Sequence, residues 1–170
     1  MSKNLNKKEI EKFSRQIILK NIGAVGQKKI LSSKVLIVCM GGIGCPVAEF
    51  LTRSGIGTLG IADHDTVSLS NIHRQSLYNE KDINQSKVKI AKKKLNKINS
   101  NTKINIFNLK LNKTTFEKII KNYDYIVDGT DNFESKFLIN DLSLKYKKFL
   151  VTGAISCLLY TSDAADDEER

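Results

Sequence analysis

The 170-residue chain has one proline (Pro46), no tryptophan and three cysteines, Cys39, Cys45 and Cys157. So few and scattered cysteines give no disulfide framework, as expected for a protein of a reducing compartment. No run of 18 apolar residues occurs, which excludes a membrane-spanning helix. The first twenty residues mix charged and apolar side chains and do not form a secretory signal, so the expected location is the cytoplasm. Disorder is excluded by the 41% hydrophobic content. The length suits one domain with a sizeable core.

The formal charge of +10 points first to nucleic acid. Composition argues otherwise. Lys (24), Asn (15) and Ile (20) make up 59 of the 170 residues, and all three have A/T-rich codons. The lysines are spread over several segments and form no single stripe. A solvated basic surface is expected, with no nucleic-acid partner. The C-terminus breaks this pattern. Residues 157–170, CLLYTSDAADDEER, hold five acidic residues, one Arg and no Lys, Asn or Ile. Without them, residues 1–156 carry +14 (27 basic minus 13 acidic). Back-translated, Cys157–Asp166 resembles a transposase adapter of sequencing libraries. Residues 157–170 are therefore expected to be a non-native, adapter-derived tail, with the true chain continuing past Ser156; an acidic tail is the alternative.

Short β-branched apolar runs at Val35–Met40, Thr58–Ala62, Ile104–Phe107, Tyr125–Val127 and Phe149–Val151 predict buried strands. Between them lie predicted helices at Pro46–Ser54, Ser86–Asn99 (with a Ser cap), Thr115–Lys121 and Phe133–Lys145. This alternation predicts an α/β, Rossmann-like, doubly wound, mainly parallel sheet with helices on both faces. It would occupy residues 34–156, after an N-terminal helical segment, 1–33. In that segment one amphipathic helix, Lys7–Lys20, is expected to turn Ile10, Phe13 and Ile17 inward and Arg15 outward.

The first strand runs into Gly41, Gly42, Ile43 and Gly44, then a helix. Glycines there let backbone N–H groups approach a phosphate, and the helix N-terminus favours an anion. Asp63 follows 22 residues after Gly41, at the end of the second strand, where an acid meets ribose hydroxyls. These features predict a nucleotide site. The third glycine of G-x-G-x-x-G is replaced by Val47, and Cys45 and Pro46 stand where a P-loop would have lysine. A dehydrogenase and a P-loop NTPase are both disfavoured. Asp63-His64-Asp65, Ser70-Asn71-Ile72-His73-Arg74-Gln75, Lys87 on the next helix and Asp128-Gly129-Thr130-Asp131-Asn132 form a denser cluster, of which Asp63, Arg74 and Asp131 fall at or just beyond strand ends or in loops there. D-x-x-D-N suits Mg²⁺ held through a polyphosphate, and Arg74 and Lys87 supply cations for phosphoryl chemistry. His64 and His73 lack partners at zinc spacing and are expected to be loop residues. Cys45 is expected to pack at the helix start.

These residues resemble the MoeB/ThiF/HesA family, bacterial relatives of ubiquitin-activating enzymes. The resemblance covers about Phe13 to Ser156. It rests on RQI, the GG-I-G loop, D-x-D, SN-x-x-RQ, the helix lysine and TDN. It implies an adenylyltransferase that joins the C-terminal Gly-Gly carboxylate of a ubiquitin-like sulfur-carrier protein to AMP from Mg²⁺–ATP, releasing pyrophosphate, for molybdopterin or thiamine synthesis. Gly41, Gly42 and Gly44 would line the nucleotide and Asp63 would hold the ribose. Asn71, Arg74 and Lys87 would contact phosphates, and Asp131 would serve Mg²⁺ and the reacting phosphates. Asp65, Gln75 and Asn132 complete the expected nucleotide-binding set. Arg15 would reach into the partner subunit's site of a homodimer.

Two departures stand out. Cys39 takes the place of the family's first loop glycine; its side chain either narrows the phosphate pocket or points into the sheet. The family's later portion, with its zinc ligands, is missing from the sequence, so the fragment is expected to be impaired and to hold no zinc. The alternatives are a tRNA threonylcarbamoyladenosine dehydratase-type relative, an NAD-dependent oxidoreductase and a catalytically silent subunit.

Overall fold

The computed structural model describes residues 4–154. Strands β1 (Lys34–Val38), β2 (Thr58–Ala62), β3 (Lys103–Phe107), β4 (Tyr125–Asp128) and β5 (Phe149–Thr152) pair in parallel, in the order β3-β2-β1-β4-β5. Helices α4 (Gly44–Ser54), α5 (Lys87–Ile98), α6 (Lys113–Ile120) and α7 (Phe133–Lys145) connect the strands. Ahead of β1 lie α1 (Lys7–Lys12), α2 (Ser14–Ile17) and α3 (Gly23–Ser32). The α/β class and the Rossmann-like sheet are as expected.

Successive residues of β1 face opposite layers, which explains its unbroken apolar run. Val35 and Ile37 join Leu59, Ile61, Ala48, Val88 and Leu95 on one side. Leu36 and Val38 join Ile126, Phe116, Ile120, Tyr123 and Ile139 on the other. Strand order reverses at β1: β2 and β3 extend to one side, β4 and β5 to the other. A crevice opens at the carboxyl ends beside such a switch point.

Several local expectations need correction. The single helix Lys7–Lys20 is broken at Phe13 into α1 and α2, and Ile10 faces solvent. Phe13 is buried, and its ring lies where a Cβ on Gly55 would sit, 2.5 Å from Cζ. Gly55, with φ +90, ends α4 in the left-handed region. Anchoring Phe13 there is a contact between positions 42 apart that helical periodicity does not carry. β1 ends at Val38 instead of Met40, because Cys39 turns to φ +75. β5 is not buried among the described residues: Phe149 is 70% exposed. Ser86 stands at the start of α5 without capping it; its hydroxyl donates to Asn108 Oδ1 at 3.3 Å. Cys157 and the proposed adapter tail lie outside the described residues.

Candidate active site

The carboxyl ends of β1, β2 and β4 border a cleft of about 1150 Å³. It gathers Gly41, Gly42, Asp63, Asp65, Asn71, Arg74, Gln75, Lys87, Asp131 and Asn132, which the sequence brings from positions up to 91 apart. Two predicted residues are not among its walls. Gly44 is buried at the first turn of α4, where a Cβ would lie 1.9 Å from the Cys39 carbonyl oxygen; its smallness is dictated by packing. Arg15 is exposed on α2, away from this cleft.

Gly41 and Gly42 differ from Gly44. A Cβ on either would meet only ordinary contacts, 3.4 Å from Cys39 Sγ and 3.6 Å from the Arg74 stem respectively, and neither has positive φ. The protein itself therefore does not require glycine there. Bare backbone facing a cleft at a strand–helix turn, just before the N-terminus of α4, is the arrangement that receives phosphate.

Asp63 directly follows β2, buried, with both oxygens engaged. Oδ2 accepts from Met40 N–H at 2.7 Å and Oδ1 from Asp65 N–H at 2.8 Å. It thereby ties the first loop to the second while keeping acceptor lone pairs for a hydroxyl. Lys87, at the start of α5, is 5% exposed. Its Nζ meets Asp65 Oδ2 at 2.9 Å, and its N–H donates to the Asp65 carbonyl at 3.0 Å. Burial alone would lower its pKa, but the Asp65 and Asp63 carboxylates outweigh that and raise it, so Lys87 stays cationic. Asp63, His64 and Asp65 place ligand atoms within 4.8 Å of one another. Asp63 is committed to amides and Asp65 to Lys87, so the group reads as an organising network.

Arg74 is exposed and held by Nη1 donating to the Ser70 carbonyl at 2.8 Å. Gln75 is 3% exposed, and its Oε1 has no partner among the described residues. An orphaned buried acceptor at a cleft wall is costly unless a ligand or water satisfies it. Asn71 is half-buried at the end of a short 3₁₀ turn, Leu69–Asn71. Asp131 is exposed, in the loop after β4. Asn132 starts α7, and its Oδ1 accepts from Ser135 N–H at 2.9 Å, which is a helix cap.

Cys39 resolves the two alternatives in part: its side chain lies at the cleft wall, beside Gly41. Burial first, then Asp63, pushes its thiol up to about 11. Cys45 is fully buried and its Sγ donates to the Met40 carbonyl at 3.3 Å, a packing role. His64 and His73 are exposed loop residues.

One wall residue escaped the sequence reading. Lys136, in the first turn of α7, meets buried Asp128 Oδ2 at 3.1 Å and the Gly153 carbonyl at 3.0 Å. The available signal was a cation at the positive end of a helix, which needs an anion to hold it there.

The set has the chemistry of a nucleotide site: bare backbone for phosphate, the cations Arg74 and Lys87, a carboxylate for hydroxyls and a second, exposed carboxylate in the last loop. The chain is 43% identical over 150 residues to the adenylyltransferase and sulfurtransferase MOCS3 of Dictyostelium discoideum, covering 88% of this chain and 35% of that protein. It is 36% identical over 149 residues to the sulfur carrier protein adenylyltransferase of Thermus thermophilus, covering 88% and 55%. Among solved structures, PaaA superposes with a TM-score of 0.80 at 28% identity, over 93% of this chain and 51% of that one. The chain thus spans about a third to a half of the length of these relatives. The ThiF family pattern matches residues 13–163. The chain belongs to the ThiF family.

Proposed function

We propose that the cleft is the ATP site of an adenylyltransferase that activates the C-terminal Gly-Gly carboxylate of a ubiquitin-like sulfur carrier. The observation that carries this reading is the convergence of Arg74, Lys87 and Asp131 on a cleft floored by the bare backbone of Gly41 and Gly42. In the reaction, a carboxylate oxygen attacks the α-phosphorus of ATP. The bond from that phosphorus to the bridging oxygen breaks, its electron pair leaves with pyrophosphate, and an acyl-adenylate remains.

A carboxylate is already nucleophilic at neutral pH, so no general base is required. The barrier is anion–anion repulsion and charge building at phosphorus. Positioned cations oppose both, each contributing roughly 2–4 kcal/mol by analogy with single oxyanion donors. Gly41 and Gly42 amides, Asn71, Arg74 and Lys87 would hold phosphates, Asp63 the ribose, and Gln75 Oε1 a donor of the nucleotide. Asp131 would hold Mg²⁺, which screens phosphate charge when bound. Arg15, remote from its own cleft, would act in the partner's site of a cytoplasmic homodimer. Zinc would belong to a later portion of the full-length protein. The name of the Thermus thermophilus relative supports a sulfur carrier, and that of a Porphyra purpurea relative, a probable molybdopterin-synthase adenylyltransferase, supports a molybdopterin-type one.

The test is pyrophosphate release by the full-length gene product with ATP and a carrier ending in Gly-Gly. Arg74→Ala should abolish release with little loss of fold, since Arg74 is exposed. Unchanged release would favour a silent subunit, and saturable NADH binding without ATP binding would favour an oxidoreductase.

A further inference from the structure

We infer that Lys136 is a positioning residue for the Asp131 loop, and through it for the divalent cation that accompanies ATP; this rests on the nucleotide reading above. The loop from Gly129 to Asn132 leaves β4 at Asp128, which is 1% exposed. Asp128 Oδ1 accepts from Thr130 N–H at 2.9 Å and from Thr130 Oγ1–H at 2.6 Å. Its Oδ2 accepts from Lys136 Nζ. The same ammonium donates to the Gly153 carbonyl, just past β5. Lys136 thus links the ends of β4 and β5 to the first turn of α7, and Asp128 passes that constraint to the loop.

The loop is fixed on its other sides as well. Gly129 N–H donates to the Val38 carbonyl at 3.0 Å, and a Cβ on Gly129 would lie 3.4 Å from both the Cys39 oxygen and the Gly44 nitrogen. The Asp131 loop is therefore registered against the phosphate loop. Asn132 caps α7 at the far end. Between these anchors Asp131 keeps an exposed carboxylate at the cleft. A lysine in the first turn of a helix opposes the helix dipole, and a buried carboxylate without a cation is costly. Each makes sense only with the other, and together they order the loop before any ligand arrives. Partners that orient a ligating group typically govern affinity by 10–100-fold.

The test titrates ATP with and without Mg²⁺ into the wild-type chain, Asp131→Asn, Lys136→Met, Lys136→Arg and Thr130→Val. It also follows amide hydrogen exchange at Thr130, whose N–H is bonded to Asp128, without nucleotide. Mg²⁺ should tighten ATP binding in the wild type, and Asp131→Asn should lose that gain. Lys136→Met should lose about tenfold of it while Mg²⁺-free affinity is kept; Lys136→Arg should restore it. Thr130→Val leaves the Lys136–Asp128 pair intact and should still reduce the gain. Exchange at Thr130 should accelerate in Lys136→Met. A folded Lys136→Met variant with the full Mg²⁺ gain or unchanged exchange overturns the inference. Should Lys136→Met fail to fold, Thr130→Val with full gain and protection overturns it. Absence of ATP binding by the wild type refutes the nucleotide reading instead, and the exchange rates then decide whether Lys136 braces the loop.

Discussion

Replacing Cys39 by glycine should stabilise the protein relative to replacing it by alanine, the reverse of the ordinary order. Cys39 has φ +75 and carries a side chain in a region that costs an L residue roughly 1–2 kcal/mol. Both replacements remove the same sulfur, half-buried at the cleft wall, so that loss cancels between them. Alanine keeps the Cβ and the strain. Glycine relieves the strain and gives back about 0.5–1 kcal/mol through the greater freedom of its unfolded chain. The difference should favour glycine by about 0.5–1 kcal/mol. With a urea m-value of about 2 kcal/mol/M, the midpoint of the glycine variant should lie roughly 0.3–0.5 M above that of the alanine variant. Because Sγ lies beside Gly41, the glycine variant should also bind ATP more tightly than the wild type. Equal midpoints would mean that the strain only matches glycine's entropy, and a higher midpoint for alanine that it falls short of it; either result would refute the reasoning.

Gly44→Ala should cost about 1–3 kcal/mol in urea denaturation, because its Cβ meets backbone at 1.9 Å and α4 must move. Asn132→Ala should cost about 1 kcal/mol in urea denaturation through loss of the α7 cap, and, because that cap anchors the Asp131 loop, it should also weaken ATP binding in the presence of Mg²⁺ in calorimetry. For Lys87 the folded pKa is raised: burial opposes the charge and is outweighed by Asp65 and Asp63. Its stabilising contribution is full below the unfolded lysine value near about 10.4 and is lost as pH rises through the higher folded value. The stability difference between wild type and Lys87→Met should therefore shrink above about pH 10.4 in pH-dependent denaturation.

The sheet was legible because each strand is a short β-branched run whose alternate residues feed two apolar layers, as Val35/Ile37 and Leu36/Val38 do. The cleft was legible because glycines, acids and cations recur at strand ends, and the topology brings strand ends together. What escaped depended on contacts between distant residues or on backbone conformation. Phe13 breaks the first helix because its pocket is Gly55. β1 stops early because Cys39 turns left-handed, which no apolar pattern records. Gly44 looks like a ligand glycine beside Gly41 and Gly42, and only the Cys39 carbonyl above it shows that it serves packing. Lys136 looked like one more surface lysine among 24, and only the buried carboxylate of Asp128 sets it apart.

The nucleophile in the proposed reaction is a terminal carboxylate, and chemistry can remove that group alone. The decisive measurement is exchange of labelled pyrophosphate into ATP by the full-length gene product, with a Gly-Gly carrier whose C-terminus is either a free carboxylate or a carboxamide. Label should enter ATP with the carboxylate form and not with the carboxamide. Equal exchange with both forms, or exchange without any carrier, would contradict adenylation of the carrier terminus in this cleft.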